Sequence, residues 1–135
     1  MQVLTLALPM FGKARPRVTA HGTFMPLAYR QWQQSAQAAL RSQWGDRLPL
    51  ETVEWISVQF RCPCGRTDLD NAIGSVLDAL VQAKVLRDDN ATRVPAITAT
   101  WERTHERNDI TITLEEPIHE QQQPRHRRHR SVRGV

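Results

Sequence analysis

Apolar positions along the chain change period several times, and each change marks an element. Residues 2–8 are mostly apolar up to Pro9, which predicts a short buried strand. Residues 17–25 read as a small hairpin or loop around His21-Gly22. Pro26 then opens a helix over 27–44, where Tyr29, Trp32, Ala36, Ala39, Leu40 and Trp44 recur at helical spacing and Gly45-Asp46 end the run. Residues 52–61 alternate as a strand should. Residues 69–85 carry Ile73, Val76, Leu77, Leu80 and Val81 on one helical stripe. Strands follow at 93–101 and 109–115, the last alternating Ile110, Ile112 and Leu114 with polar residues. The order β–α–β–α–β–β predicts an α+β fold, a mixed β-sheet with two helices packed on it.

Composition narrows this reading without changing it. At 135 residues with 40% hydrophobic and 24% charged residues, the chain fits one core, placed at residues 1–116. No run of 18 apolar residues exists, so no membrane span is expected. The first residues are too short and too interrupted by proline for a secretory signal, so a cytoplasmic location is expected. The net charge of +4 is carried by the end of the chain: residues 118–135 hold Arg125, Arg127, Arg128, Arg130 and Arg133 against Glu120, and the rest is balanced. Residues 117–135 lack apolar periodicity and read as a disordered basic tail. Only Lys13 and Lys84 among the 18 basic residues are lysine. Arginine suits planar, bidentate contact with phosphate, although a GC-rich coding sequence gives the same enrichment.

The candidate chemistry lies between residues 61 and 93. Asp68 and Asp70 are two apart, so on a helix they diverge, whereas on an extended segment they point to one side. A shared site therefore requires both just before the helix begins. Asp88-Asp89-Asn90 follows the helix in a turn that would have to fold back beside the first pair. Converging carboxylates demand a cation, and hard oxygen donors without a His or Cys pattern select Mg²⁺, with Mn²⁺ able to substitute. Arg61, Arg66, Arg87 and Arg93 around them suit a phosphodiester. The plainer alternative also stands: Asp at a helix start is a common cap, and Asp-Asp-Asn is a common surface turn. Asp78, mid-helix and off the stripe, reads as a solvated charge or at most a support to the site.

The motif D-L-D-N at 68–71, an apolar helix with D-A-L at 78–80, and D-D at 88–89 resemble the RusA Holliday-junction resolvases of phages and prophages. Lys13-Ala14-Arg15-Pro16-Arg17 resembles the K-x-R-P-R segment of the family's phage branch. The resemblance covers about residues 3–115. It implies a small α+β homodimer, bacterial or phage-encoded, that binds four-way branched DNA and nicks paired strands with Mg²⁺, without a nucleotide cofactor. Its metal-binding, catalytic carboxylates fall on Asp68, Asp70 and Asp89, with Asp88 adjoining and Asn71 supporting. Lys13, Arg15, Arg17, Arg66 and Arg87 are the expected DNA contacts. The sequence departs from the family at Gly74, where well-studied members carry a lysine six residues after the first motif Asp. Lys13, Arg15 or Arg17 then remains to supply that charge. The alternatives are a branched-DNA nuclease of lower selectivity and a DNA-binding protein without catalysis.

Cys62-Pro63-Cys64 lacks the spacing of a zinc or redox pair and reads as reduced thiols. The settings of Trp32, Trp44, Trp55 and Trp101 predict core packing. His126 and His129 in the tail read as phosphate contacts more readily than as a metal tract.

Overall fold

The computed structural model describes residues 1–117; the tail from 118 lies outside the described residues. The strands are β1 (Gln2–Leu6), β2 (Arg17–Thr19), β3 (Gly22–Phe24), β4 (Trp55–Cys62), β5 (Ile97–Arg103) and β6 (Asp109–Glu115). The helices are α1 (Leu27–Trp44) and α2 (Leu69–Gln82). β1, β6, β4 and β5 lie in that order in one sheet, and β2 pairs with β3 in a separate hairpin. Only β4 and β5 run parallel; β6 is antiparallel to both its neighbours. A parallel pair needs a crossover, and α2 supplies it. The expected α+β fold with a mixed sheet and two helices is observed.

Alternation decides which sheet face is covered. Leu4, Leu6, Ile56, Val58, Phe60, Ile110, Ile112 and Leu114 all point inward and are buried. Their registers put Ile112 between Leu4 and Val58, and Ile110 between Leu6 and Phe60. Each such side chain contributes about 1.5–3 kcal/mol by leaving water. The opposite face is polar: Arg61 donates to Gln59 on its own strand and to Thr111 and Asp109 across on β6. Both helices pack on the apolar face, α1 toward β1 and α2 toward β5, and they touch each other.

Pro26 opens α1 without a side-chain cap, and Gly45 ends it at φ 71, its amide donating to Arg41. The helix buries Tyr29, Trp32, Ala36, Leu40 and Trp44, as the spacing predicts. α2 is rotated relative to expectation. Its most buried residues are Ala72, Ser75, Val76, Ala79 and Leu80, whereas Ile73, Leu77 and Val81 are only partly buried. Small side chains let the helix approach α1 and the sheet, and this closeness turns the larger ones toward the rim.

α2 also ends earlier than expected. Lys84 adopts φ 66, and the amide of Val85 donates to the Leu80 carbonyl, a helix-ending bond that reverses the chain. The next strand starts four residues late, at Ile97, because Arg93 and Val94 donate to the Asn90 carbonyl in a turn and Pro95 has no amide. Trp32 and Trp44 are core, but Trp55 is 37% exposed, on the outer face, where its indole donates to Thr98. Both cysteines are free thiols. No helix of the described residues is long and apolar enough to cross a membrane.

Candidate active site

The site begins where β4 stops. Residues 63–67 carry the chain from Cys62 to α2, and Gly65 lies flat against the Trp101 indole. A Cβ at Gly65 would sit 2.8 Å from that ring, so only glycine permits this close approach. The connection overhangs a cavity of about 280 Å³ bounded by Pro9, Met10, Cys62, Cys64, Arg66 and Thr67. Asp68 comes next, at the mouth of α2.

Asp68 occupies the helix N-cap in an extended conformation, yet its carboxylate takes no capping bond. The capping alternative is therefore not what this side chain does. Asp70 does not precede the helix as expected: it lies in the first turn, where its Oδ1 accepts the Asn71 amide at 2.9 Å. Both carboxylates are exposed at the positive end of the helix. That position tolerates two close negative charges better than an extended loop would.

Asp88 and Asp89 stand elsewhere. The Leu50–Leu86 bridge, the Val53 amide on the Arg93 carbonyl and the Ile56 amide on the Ala96 carbonyl place residues 86–96 beside the beginning of β4. Asp68 follows its far end. α2, 14 residues and about 21 Å long, runs between the two clusters. The expected folding-back within one chain does not occur, and among the described residues no three His, Cys, Asp or Glu side chains gather to hold a metal ion. Asp88 is engaged locally, accepting the Asp89 amide at 2.7 Å and the Asn90 side chain at 3.2 Å. Arg87 and Arg93 both bind Glu51, at 2.7 and 2.8 Å. These two guanidiniums, Arg87 first, hold the exposed Glu51 carboxyl below its ordinary 4.5.

The N-terminal loop crosses α2 just beyond Asp70. The Lys13 amide donates to the Asn71 carbonyl at 3.1 Å, and its side chain lies over Gly74. A Cβ at Gly74 would meet Lys13 Cδ at 3.2 Å. The Lys13 ammonium ends 3.3 Å from Asp78. Of the two readings of Asp78, a solvated charge or a support, the first does not hold: it also accepts the buried Tyr29 hydroxyl at 2.7 Å. Burial first, then this bond, pushes the Tyr29 phenol above its ordinary 10.0, so it remains a donor. Asp70, Gly74 and Asp78 fall at i, i+4 and i+8, a spacing that would have revealed the stripe on which Lys13 rests. Arg15 and Arg66 are exposed, and Arg17 opens the hairpin with its backbone paired to Phe24.

A fold with its parallel strand pair feeding a carboxylate-bearing helix, beside a basic loop, has the makings of a phosphodiester-cleaving site. Comparison with protein families gives the class: the profile of Endodeoxyribonuclease RusA matches residues 7–115. The chain belongs to the RusA family, whose members are junction-resolving endodeoxyribonucleases, generally dependent on a divalent metal. No curated protein matches it significantly. The match spans every element from β2 to β6 and includes D-L-D-N, Gly74 and Asp88-Asp89.

Proposed function

We propose that this chain resolves Holliday junctions as a Mg²⁺-dependent homodimer, nicking paired strands symmetrically, with Mn²⁺ able to substitute, in the cytoplasm of a bacterium that encodes it directly or through a phage. The observation that carries the reading is the pair of exposed carboxylates, Asp68 and Asp70, standing uncapped in the family's own motif at the start of α2. Their hard oxygen donors fit Mg²⁺ chemically. Asp68 and Asp70 would hold the ion, and Asp89, at the other end of α2 within one chain, would be its third ligand only from the second copy of the homodimer. Held there, the ion would supply a Lewis acid for activating water and for neutralising charge on the phosphoryl oxygens.

The chain's own residues have separable roles. Asn71 fixes the loop by accepting the Lys13 amide at its carbonyl, and the Lys13 stem lies over Gly74, one turn beyond Asp70, with its ammonium reaching Asp78 a further turn on. This loop cation does the work of the lysine that Gly74 replaces, balancing charge as the phosphate becomes pentacovalent. The glycine opens the room in which the Lys13 stem lies. The Lys13–Asp78 pair is long and half exposed, so a phosphate can draw the ammonium away at little cost. Arg15, Arg17 and Arg66 are backbone-phosphate contacts that set orientation without reading sequence. Arg87 joins them only by leaving Glu51.

The test is cleavage of a synthetic four-way junction and of linear duplex of the same sequence, with Mg²⁺ and with chelator. Paired nicks confined to the junction and lost in chelator are expected. Cleavage should disappear in Asp70→Asn while junction binding persists. Equal cutting of linear duplex would remove the selectivity, and an Asp70→Asn protein that cuts like its parent would remove the site.

A further inference from the structure

We infer that the β2–β3 hairpin is a wedge that enters the branch point of a DNA junction, with Val18 and Phe24 covering the base-pair faces uncovered as the arms part. This rests on the branched-DNA reading above and names the part of the chain that chooses a branch over a duplex. Val18 is 82% exposed and Phe24 47%. Their register places them on opposite faces of the hairpin: Val18 stands across from Thr23, and Phe24 stands across from Arg17. Among the described residues the hairpin joins no other strand, and no helix or strand packs extensively on it. A free-standing hairpin with an apolar residue on each face has no core to serve.

Charge names the occupant. Residues 1–45 hold Lys13, Arg15, Arg17, Arg30 and Arg41 and no Asp or Glu. Arg15 and Arg30 flank the hairpin in sequence, are exposed, and have no ion pair among the described residues. Such a stretch draws in phosphate. Apolar side chains set between cations match the apolar faces of bases inside a phosphate frame, and wedge residues of this kind unstack a step. Thickness then selects the branch. A strand pair with side chains on both faces is about 10 Å thick. Successive pairs in a duplex lie about 3.4 Å apart, so a duplex would have to open by about three times that gap. At a four-way branch the strands already change partners, and two arms can part without stretching a continuous duplex.

The hairpin is stiff and is held in fixed relation to the carboxylates. At its tip the Thr19 hydroxyl accepts the His21 amide at 3.1 Å and donates to the Gly22 carbonyl at 3.2 Å, and Gly22 closes the turn at φ 120. At its entry Phe11 stacks on Trp32 of α1, with ring centroids 6.0 Å apart. Gly12 lies close on Thr67, where a Cβ would meet Thr67 Cγ2 at 3.2 Å, and the Lys13 amide bonds to Asn71. Thr67 and Asn71 bracket Asp68 and Asp70. At its exit Pro26 opens α1, and the Arg30 guanidinium donates to the Met25 carbonyl at 3.1 Å. A wedge rooted at both ends sets the distance from the branch point to the cut.

The Asp70→Asn protein in Mg²⁺ should bind a four-way junction and leave it whole, so the wedge is tested without activity. Pyrrolocytosine, a base quenched by stacking, should brighten at the branch when this protein binds. Adding Phe24→Ser should remove that signal and weaken junction binding about tenfold, the effect of one lost base stack. Adding Val18→Ser should weaken it severalfold. Neither should change binding to linear duplex or the salt slope, because the phosphate contacts remain. Arg15→Gln should instead weaken binding to both substrates and lower the slope by about one. Both hairpin residues are exposed, so melting temperature and oligomeric mass should match the parent. A junction-preferring protein whose bound pyrrolocytosine stays dark overturns the wedge alone, as does an equal loss on junction and duplex. A changed oligomeric mass in Phe24→Ser overturns it too, by making the hairpin an interface between copies. A parent that binds junction no better than duplex overturns the branched-DNA reading and the wedge together.

Discussion

The two ends of α2 carry similar residues and treat them differently. At its start, Asp68 takes no cap and Asp70 accepts only the amide beside it. At its far end, Asp88 is bonded to Asp89 and Asn90, and Glu51 gathers Arg87 and Arg93. One end holds carboxylates ready for something outside the chain; the other uses most of its charges to shape a turn that presents a single free carboxylate, Asp89. Acidic residues in sequence look alike at both places. What separates them is whether the protein has already supplied their partners.

The largest expected effect follows from that contrast. Asp68→Asn or Asp70→Asn should lower junction cleavage by at least ~10³-fold, because a metal ligand is lost where little else compensates. The melting temperature should move by no more than about 2–4 °C, since the carboxylates contribute to the fold only through the helix dipole, about 0.3–1 kcal/mol each. Asp88→Ala should show the reverse emphasis in stability, losing two local bonds worth about 1 kcal/mol apiece. Paired thermal melts and single-turnover cleavage assays check both. A large loss of stability in Asp70→Asn would mean that the open end is structural after all.

Asp78 sharpens the comparison, because it serves the fold and the site together. Asp78→Ala strands the buried Tyr29 hydroxyl, which should cost about 1–3 kcal/mol, and it removes the carboxylate that keeps Lys13 laid along α2 until a phosphate takes its ammonium, which should lower cleavage about tenfold. Asp78→Asn keeps an acceptor for Tyr29 and removes the charge. It should recover stability without recovering cleavage. Equal recovery of both would dismiss the Lys13 contact as incidental.

Gly74→Ala separates the same two quantities in the opposite direction. A helical alanine should stabilise α2 by up to about 1 kcal/mol over glycine. Its Cβ would press on Lys13 Cδ at 3.2 Å, a contact that a flexible stem relieves by lifting away from the helix. A more stable protein that cuts severalfold more slowly is expected, with melting temperature and cleavage rate measured on one preparation. Faster cutting would show that the Lys13 seat on Gly74 has no part in the chemistry.

Much of this contrast lay beyond the sequence for identifiable reasons. Periodicity located both helices and the four strands of the main sheet, because alternating and helical spacings report directly on which face meets the core. It misplaced the face of α2, because Ala72 and Ala79 carry weak apolar signals although they mark the closest packing. It placed Asp70 before the helix, because i and i+2 carboxylates were expected to share an extended segment. It brought Asp88-Asp89 back to Asp68, because a turn of unknown direction can be drawn either way. The direction is set by long-range bonds, Leu50 to Leu86 and Val53 to Arg93, that no local pattern encodes. Lys13 across Gly74 was legible as chemistry and not as geometry: a missing cation on the helix and a spare one in the loop stood 61 residues apart.

The smallest effect expected concerns the closed end of α2 and its response to acid. The Glu51 carboxyl is held below its ordinary 4.5 by Arg87 and then Arg93. A depressed carboxyl stabilises the fold above its unfolded value, and that contribution is lost as pH falls through the folded one. The Asp88–Asp89 turn should therefore be unchanged from pH 7 to about pH 5, within the plateau where both forms are ionised, and loosen only below the ordinary carboxyl range. Glu51 is exposed, so the change should be local, visible in the NMR resonances of Val94 and Leu86 before any global unfolding. Glu51→Gln should produce the loosened spectrum already at pH 7 and abolish the acid transition in those resonances. If the transition persists in Glu51→Gln, the neighbouring aspartates shape the turn and the Glu51 clamp does not.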